Sequence, residues 1–176
     1  VSQTIQVNIA SDTTPFLYPN QFCNFNADSN VVTVSDTITS GMTDPLKKVE
    51  AIYNYAVDNI TYDNQKAATV QSGYLPNGDA TLAQKKGICF DYAAVMTSML
   101  RAQGIPTKLV IGYAGNVYHA WVSVYIQGQG WVDNIIYFDG TDWKLMDPTF
   151  VSSGKKSAEV LNYVSNPANY RQKFCY

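Results

Sequence analysis

One cysteine of this chain stands where a glycine turn leads into a predicted helix. In the stretch KKGICFDYAAVMTSMLRAQGIP, apolar residues recur at helical spacing over residues 90–103, and a Gly-x-Pro sequence then provides a stop. Cys89 is therefore expected on the first turn, where unpaired backbone N–H groups and the helix dipole favour an anion. Such a position favours the thiolate, which is the nucleophilic form of the side chain. Cys89 is a candidate nucleophile; the alternative is a small buried hydrophobic residue.

The single histidine of the chain, His119, lies in the predicted strand YHAWVSVYI. Strand alternation puts His119 and Trp121 on one face, and Ala120 and Val122 on a second face that is typical of a core. A thiol nucleophile needs a base that takes its proton and later returns it to the leaving group, and imidazole suits this role near neutral pH. A lone histidine beside a tryptophan is otherwise a packing residue. The presence of Cys89 favours the catalytic interpretation.

An imidazole in this role needs an acceptor on its second ring nitrogen. Asp147 is the first candidate, because it ends the predicted strand WKLMD directly before Pro148, where a carboxylate can project at the edge of a sheet. Asp133 and Asp142 are alternatives, although both are better explained as turn or solvent-facing carboxylates. The alternative for Asp147 is likewise a turn former before proline.

The first half of the chain contains the segments expected to lead into the cysteine helix. Alternation at its start and in VVTVSDTIT predicts strands or extended segments over residues 1–39. An aspartate N-cap followed by Pro45 predicts a helix that runs to about Asn59. Residues 65–77 are a predicted irregular loop that could wall a substrate groove. Asp79 is then expected to cap a short helix in ATLAQKK.

The second half is rich in β-branched and aromatic residues. The runs TKLVIGY, YHAWVSVYI, WVDNIIYF and WKLMD are separated by glycine- and aspartate-containing turns, which predicts an antiparallel meander. The tail SAEVLNYVSNPANYRQKFCY predicts one short helix and an extended end. We therefore predict an α+β fold in a single domain over 1–176, with an extended N-terminal extension over 1–40, a core over 41–150 and a tail over 151–176 that packs on the core.

Composition excludes several classes of function. A net charge of −2 provides no electrostatic footprint for nucleic acid or anionic lipid. No apolar run approaches the ~18 residues of a membrane helix, so membrane insertion is not expected. Charged residues make up 15 % of the chain, against roughly 25 % in typical globular proteins. The neutral polar surface that this implies favours an extracellular or cell-surface module, with a cytoplasmic location left open, and the start VSQTIQVNIA predicts a processed or excised segment.

The three cysteines allow one disulfide and one remaining thiol. Cys23 and Cys175 lie near the two ends of the chain, and a bond between them would join the ends and leave Cys89 free. By loop entropy, such a long closure stabilises by about 5 kcal/mol. The alternative is three reduced thiols in a cytosolic protein. No paired short spacing suggests zinc, so neither a metal nor a cofactor is expected.

Beyond these patterns, the sequence resembles the transglutaminase-like superfamily, a branch of the papain-like thiol enzymes. The similar blocks are GICFDYAAVMTSMLRAQGIPTKLVIGY, HAWVSVY, GWVDN and WKLMDPTF, which follow one another in the family's order over about residues 79–150. The resemblance implies Cys89 as nucleophile, His119 as general base and acid, and Asp147 as the partner that orients the histidine. It also implies the family's fold, in which the cysteine helix packs on an antiparallel sheet that carries the histidine and aspartate.

Family members supply an oxyanion donor in addition to the backbone N–H of the cysteine, and in animal transglutaminases this donor is an upstream tryptophan. No tryptophan precedes Cys89 here. Tyr62, in a Tyr-Asp pair that resembles a block of bacterial members, is the first substitute, and Gln84 is the second. Calcium is not implied, since no oxygen-rich loop with regular ligand spacing is present.

The resemblance implies thiol-dependent acyl transfer on amide bonds through a cysteine acyl-enzyme, with a protein or peptide as substrate. Water as acceptor would make the protein a peptidase or amidase, and an amine would make it a crosslinking transamidase. An extracellular setting favours an extracellular protein or a cell-wall peptide as substrate. The alternatives are a catalytically inactive binding or scaffold module of the same fold, and a redox or metal role for the cysteines. No oligomeric state is predicted.

Overall fold

The cysteine helix is the centre of the architecture. A computed structural model describes residues 6, 8, 11–133, 136–138, 143–145 and 166–176. The helices are α1 (Asn30–Ile38), α2 (Pro45–Asn59), α3 (Asn64–Thr69), α4 (Gly78–Gln84) and α5 (Cys89–Ala102), with 3₁₀ turns at Thr14–Leu17 and Pro167–Asn169. Helices α1, α2 and α4 pack around α5. Among the described residues, no helix is both long enough and apolar enough to cross a bilayer.

The strands form one larger sheet and two short pairs. They are β1 (Thr61–Tyr62), β2 (Lys86–Gly87), β3 (Thr107–Ala114), β4 (Val117–Ile126), β5 (Gly130–Val132), β6 (Ile136–Phe138), β7 (Trp143–Leu145) and β8 (Tyr170–Cys175). The four-stranded sheet has the order β5-β4-β3-β8 and is antiparallel throughout. β1 pairs with β2 in parallel, and β6 pairs with β7 antiparallel. The predicted meander is confirmed for β3, β4 and β5, and the C-terminal strand extends it at the β3 edge.

Helix α5 packs against β3 and β4. Its residues from Asp91 to Arg101 are all buried. The sheet face that meets the core contains Ala120, Val122 and Val124, as strand alternation predicts. The other face of β4 is also covered, since Trp121 is 5 % exposed. This helix on an antiparallel sheet is the predicted α+β arrangement.

The segment VVTVSDTIT was predicted to be extended, and that prediction is wrong: it forms α1. Val31 and Ser35 lie one helical turn apart, and both are buried. The Ser35 hydroxyl donates to the carbonyl oxygen of Met99 in α5 at 3.0 Å. Packing of this face on α5 outweighs the strand preference of the β-branched residues.

Two local predictions around α4 also need correction. The N-cap of α4 is Asn77, whose side chain accepts from the N–H of Ala80, and Asp79 lies inside the helix. The Asp79 carboxylate instead accepts from the N–H of Val31 at 2.9 Å, so it joins α4 to the start of α1. The predicted loop at 65–77 is partly helical, because the Asp63 side chain caps α3.

The end of α5 is fixed by a buried guanidinium. Arg101 is 3 % exposed. It donates to the carbonyl oxygens of Tyr18, Thr107 and Tyr176 and lies 3.2 Å from the sulfur of Cys23. Burial lowers the pKa of Arg101 from its ordinary value. One cation thus joins the N-terminal segment, the start of β3 and the end of the chain to α5.

We expect Arg101→Met to lower the free energy of unfolding by about 3–5 kcal/mol, since it removes a buried cation that donates to three carbonyl oxygens, including the buried oxygen of Thr107. Urea denaturation monitored by circular dichroism measures the change. Arg171→Met is the matched control, because Arg171 is exposed on β8 and stacks on Tyr113 at 5.0 Å. Its loss should cost less than about 1 kcal/mol. Equal stability of the two variants would contradict a structural role for Arg101.

Candidate active site

Cys89 is the first residue of α5 and is partly exposed. The prediction that it lies on the first helical turn is confirmed. Its backbone N–H has no acceptor within the helix, because the first N–H groups of any helix lack one. A turn precedes it: Lys85 is left-handed at φ 52°, and Gly87 is buried. A Cβ on Gly87 would lie 2.7 Å from the Cβ of Asp91, so only glycine permits this approach.

The residue before the histidine, Tyr118, lies near the start of β4. Tyr118 is 56 % exposed, and its ring meets Tyr113 across the strand pair at 5.4 Å. Burial raises the pKa of the Tyr118 hydroxyl, and the charges of Tyr113, Tyr176 and Cys89 raise it further.

His119 lies in β4 opposite Gly112 of β3 and is 4 % exposed. Its ring stacks with that of Trp121 at 6.2 Å between centroids. A Cβ on Gly112 would lie 2.1 Å from the carbonyl oxygen of Arg171 and 2.8 Å from the Trp121 ring. Because Gly112 has no side chain, the backbone of β8 and the Trp121 ring can pack directly against β3. His119 is thus held within the sheet on which the cysteine helix packs.

The predicted acidic partner, Asp147, lies outside the described residues, as does its alternative Asp142. The second alternative, Asp133, directly follows β5 and is exposed. Its exposure agrees with the solvent-facing role considered for it from the sequence. Asp147 therefore stays a prediction.

The two oxyanion candidates lie in different settings. Tyr62 is partly buried in β1, and its partner in the parallel pair is Gly87, two residues before Cys89. Gln84 is the last residue of α4 and is exposed. The strand register therefore brings Tyr62 next to the turn that presents the cysteine. Both residues stay predictions as oxyanion donors.

The three cysteines are free thiols in the structure, so the predicted bond between Cys23 and Cys175 is not formed there. The Cys23 thiol is buried and donates to the side-chain oxygen of Asn20 at 3.3 Å. Burial raises its pKa, while Arg101 and the Asn20 contact act in the opposite direction. Cys175 is exposed on β8. In the part of the chain that the structure describes, no group of acidic, cysteine and histidine residues could hold a metal ion.

Sequence reasoning missed three polar residues that lie directly behind the cysteine turn. The carboxylate of Asp91 contacts Lys66 of α3, and Tyr74 lies between them. An acidic residue at the third position of a helix signals a cap that reaches back to the preceding turn. That signal was available for Asp91 from its spacing to Cys89. No local pattern connects it with the lysine and tyrosine, which approach only in the folded chain.

Residues 32–134 match the profile of the transglutaminase-like superfamily. This match covers more than half of the chain, so the chain belongs to that superfamily, and the resemblance found in its sequence is confirmed. The matched region includes the cysteine helix and the histidine strand.

Two curated relatives match by sequence. The uncharacterized protein YebA of Bacillus subtilis is 26 % identical over 147 residues, which are 73 % of this chain and 19 % of that protein. A protein-glutamine gamma-glutamyltransferase of Pseudomonas aeruginosa is 39 % identical over 62 residues, which are 27 % of this chain and 9 % of that protein. The chain thus spans less than a fifth of the length of either relative.

Solved structures share the fold at low sequence identity. A protein of Cytophaga hutchinsonii that has been proposed to be a cysteine protease superimposes with a TM-score of 0.63 at 20 % identity, over 96 % of this chain and 48 % of that one. The periplasmic domain of TgpA from Pseudomonas aeruginosa has a TM-score of 0.54 at 23 % identity, over 81 % and 50 %. Legionella pneumophila LapG has a TM-score of 0.52 at 12 % identity, over 84 % and 70 %. The predicted transglutaminase-like fold is confirmed.

Proposed function

We propose that this protein catalyses thiol-dependent acyl transfer from amide groups of a protein or peptide. The observation that carries the proposal is the placement of Cys89 on the first turn of α5, a helix that packs on the strand containing the single histidine of the chain. Membership of the transglutaminase-like superfamily supports this interpretation.

The proposed reaction begins when His119 takes the proton of the Cys89 thiol, and the resulting thiolate attacks an amide carbonyl and forms a tetrahedral oxyanion. The N–H of Cys89 donates to this oxyanion, because it has no acceptor in the helix, and Tyr62 is proposed as the second donor. His119 then protonates the departing amine, and a thioester with Cys89 results. An acceptor deprotonated by His119 attacks the thioester and regenerates the thiolate. Asp147 is proposed to orient the imidazole throughout.

The acceptor determines the product. Water yields a free acid, and a primary amine yields a new amide and a crosslink. The relative described as a protein-glutamine gamma-glutamyltransferase supports glutamine side chains of proteins as acyl donors. The likeness to the periplasmic domain of TgpA, together with the low content of charged residues, supports an extracytoplasmic location and a substrate among extracellular proteins or cell-wall peptides.

A product assay tests this proposal. The protein is incubated with glutamine-containing peptides and a labelled primary amine, and the peptides are examined by mass spectrometry. We expect either the free acid or the amine adduct, and neither product from Cys89→Ala. Absence of both products, together with iodoacetamide alkylation of Cys89 no faster than that of a model thiol, would overturn the proposal. That result would favour a binding module built on the same fold.

A further inference from the structure

Lys66, Tyr74 and Asp91 form a closed polar network behind the cysteine turn. The Lys66 ammonium donates to Asp91 Oδ2 at 2.7 Å and to the Tyr74 hydroxyl at 2.5 Å. The Tyr74 hydroxyl donates in turn to Asp91 Oδ1 at 2.5 Å. The ammonium also lies 4.3 Å from the centre of the Tyr74 ring. Each member of the network therefore contacts both others.

The network is built around a carboxylate removed from water. Asp91 is 0 % exposed, and the Lys66 side chain in the pair is 27 % exposed. Burial lowers the pKa of Lys66, but the hydrogen bonds to Asp91 and Tyr74 raise it more, so it lies above its ordinary value. Burial and the Asp91 contact raise the pKa of Tyr74. At neutral pH the lysine is charged and the tyrosine carries its proton, which is the state that satisfies both carboxylate oxygens.

Asp91 also holds the backbone that precedes the cysteine. Its Oδ2 accepts from the N–H of Ile88 at 2.8 Å. The carbonyl oxygen of Ile88 accepts from the N–H of Asp91 at 2.9 Å and from that of Tyr92 at 3.1 Å. Ile88 has no polar side-chain atom, so the Asp91 carboxylate is the capping side chain of α5. Both polar backbone groups of Ile88 are therefore fixed.

The Asp91 carboxylate holds the Ile88 N–H, so it fixes the backbone directly before the peptide unit that joins Ile88 to Cys89. The carbonyl of that unit is held by the backbone N–H groups of Asp91 and Tyr92. The carbonyl of Ile88 and the N–H of Cys89 belong to one planar peptide unit, so holding the carbonyl holds the N–H in the opposite direction. None of these hydrogen bonds involves the Cys89 thiol. The influence of the network on the cysteine passes through the backbone.

We propose that Lys66, Tyr74 and Asp91 are positioning residues that aim the Cys89 N–H at the oxyanion of the acyl-transfer reaction. This inference rests on the proposed function. Lys66 lies in α3, and Tyr74 follows that helix. Their hydrogen bonds to Asp91 therefore join the segment between them to the start of α5. The geometry assigns this segment a role in acylation rather than only in packing.

The rates of acylation and of alkylation of Cys89 distinguish a role in positioning the Cys89 N–H from a role in the stability of the fold. Acylation by p-nitrophenyl acetate forms a tetrahedral oxyanion, whereas alkylation of Cys89 by iodoacetamide displaces iodide and forms none. We expect Tyr74→Phe and Lys66→Met to slow single-turnover acylation about 10-fold through loss of alignment. The alkylation rate should stay close to that of the unmodified protein. Tyr74→Phe retains the ring that packs against Phe90 at 6.4 Å, so its fold is expected to be preserved.

The matched control is Lys86→Met. Lys86 pairs with Asp63 at 3.3 Å, and its side chain is 47 % exposed, so the variant removes a nearby ion pair but none of the side-chain hydrogen bonds among Lys66, Tyr74 and Asp91. Both of its rates should be unchanged. Equal slowing of acylation and alkylation in Tyr74→Phe would overturn the inference, as would no slowing of either.

Amide hydrogen exchange provides a readout that does not depend on activity. We expect exchange of the Ile88 N–H to accelerate in Tyr74→Phe, because the carboxylate that accepts from it becomes mobile. If Cys89 of the protein without substitutions reacted with iodoacetamide but was never acylated by p-nitrophenyl acetate, the proposed function would be disproved. Unaltered Ile88 exchange would disprove the positioning role in either case.

Discussion

Replacing Cys89 by serine is expected to lower the rate of acyl transfer by at least about 10³-fold, because a hydroxyl is not ionised near neutral pH and is a far weaker nucleophile than a thiolate. The free energy of unfolding should stay within about 0.5 kcal/mol of the original value, since the side chain is partly exposed at the start of α5. Product formation from glutamine-containing peptides and urea denaturation measure the two quantities.

The other cysteines provide matched controls for this experiment. Cys175→Ser changes an exposed thiol on β8 and should leave both activity and stability unaltered. Cys23→Ser changes a buried thiol 3.2 Å from the Arg101 guanidinium, so it should affect stability rather than the reaction. Substantial activity in Cys89→Ser, or its loss in Cys175→Ser, would place the nucleophile elsewhere.

His119→Gln is expected to lower the rate of acyl transfer by about 10²–10⁴-fold, the usual contribution of a general base and acid. The acidic limb of the pH–rate profile should shift in the variant, because that limb reports the ionisation of the catalytic groups in the free enzyme. Rates of peptide conversion measured between about pH 5 and pH 9 test both expectations.

A control is needed because His119 is buried, and its replacement also affects packing. Ser123 lies on the same face of β4 and is 1 % exposed, so Ser123→Ala perturbs the same strand without removing an ionisable group. If Ser123→Ala reduced activity as much as His119→Gln at equal stability, His119 would have only a packing role. An unshifted pH profile in His119→Gln would lead to the same conclusion.

The sequence predicted those elements whose side chains follow a helical or strand periodicity. Helical periodicity and a stop at Gly104 predicted α5, and strand alternation predicted the buried face of β4 that contains Ala120 and Val122. Both patterns are local, because each follows from side chains that share one face of one element. The resemblance to the superfamily then connected the cysteine and histidine elements, which no local pattern does.

Predictions failed where distant contacts decide local structure. Helix α1 is rich in valine and threonine and becomes helical because Val31 and Ser35 pack on α5. The network of Lys66 and Asp91 joins residues that are 25 positions apart in sequence. The expected bond from Cys23 to Cys175 assumed only that both residues lie near the chain ends. Instead, the Cys23 thiol lies against the guanidinium of Arg101.

The C-terminal strand has a consequence for solubility. β8 pairs with β3 from Ala114 to Val110, and Tyr176 continues the contact by exchanging two hydrogen bonds with Leu109. Without β8, the N–H and C=O groups along that side of β3 would form an open edge able to pair with another chain. In the order β5-β4-β3-β8 the edge strand is β8, which carries the exposed cations Arg171 and Lys173, and charges on an edge strand disfavour pairing with another chain. The guanidinium of Arg101 holds the carbonyl oxygen of Tyr176 at 2.7 Å and so helps to keep this charged strand on the sheet.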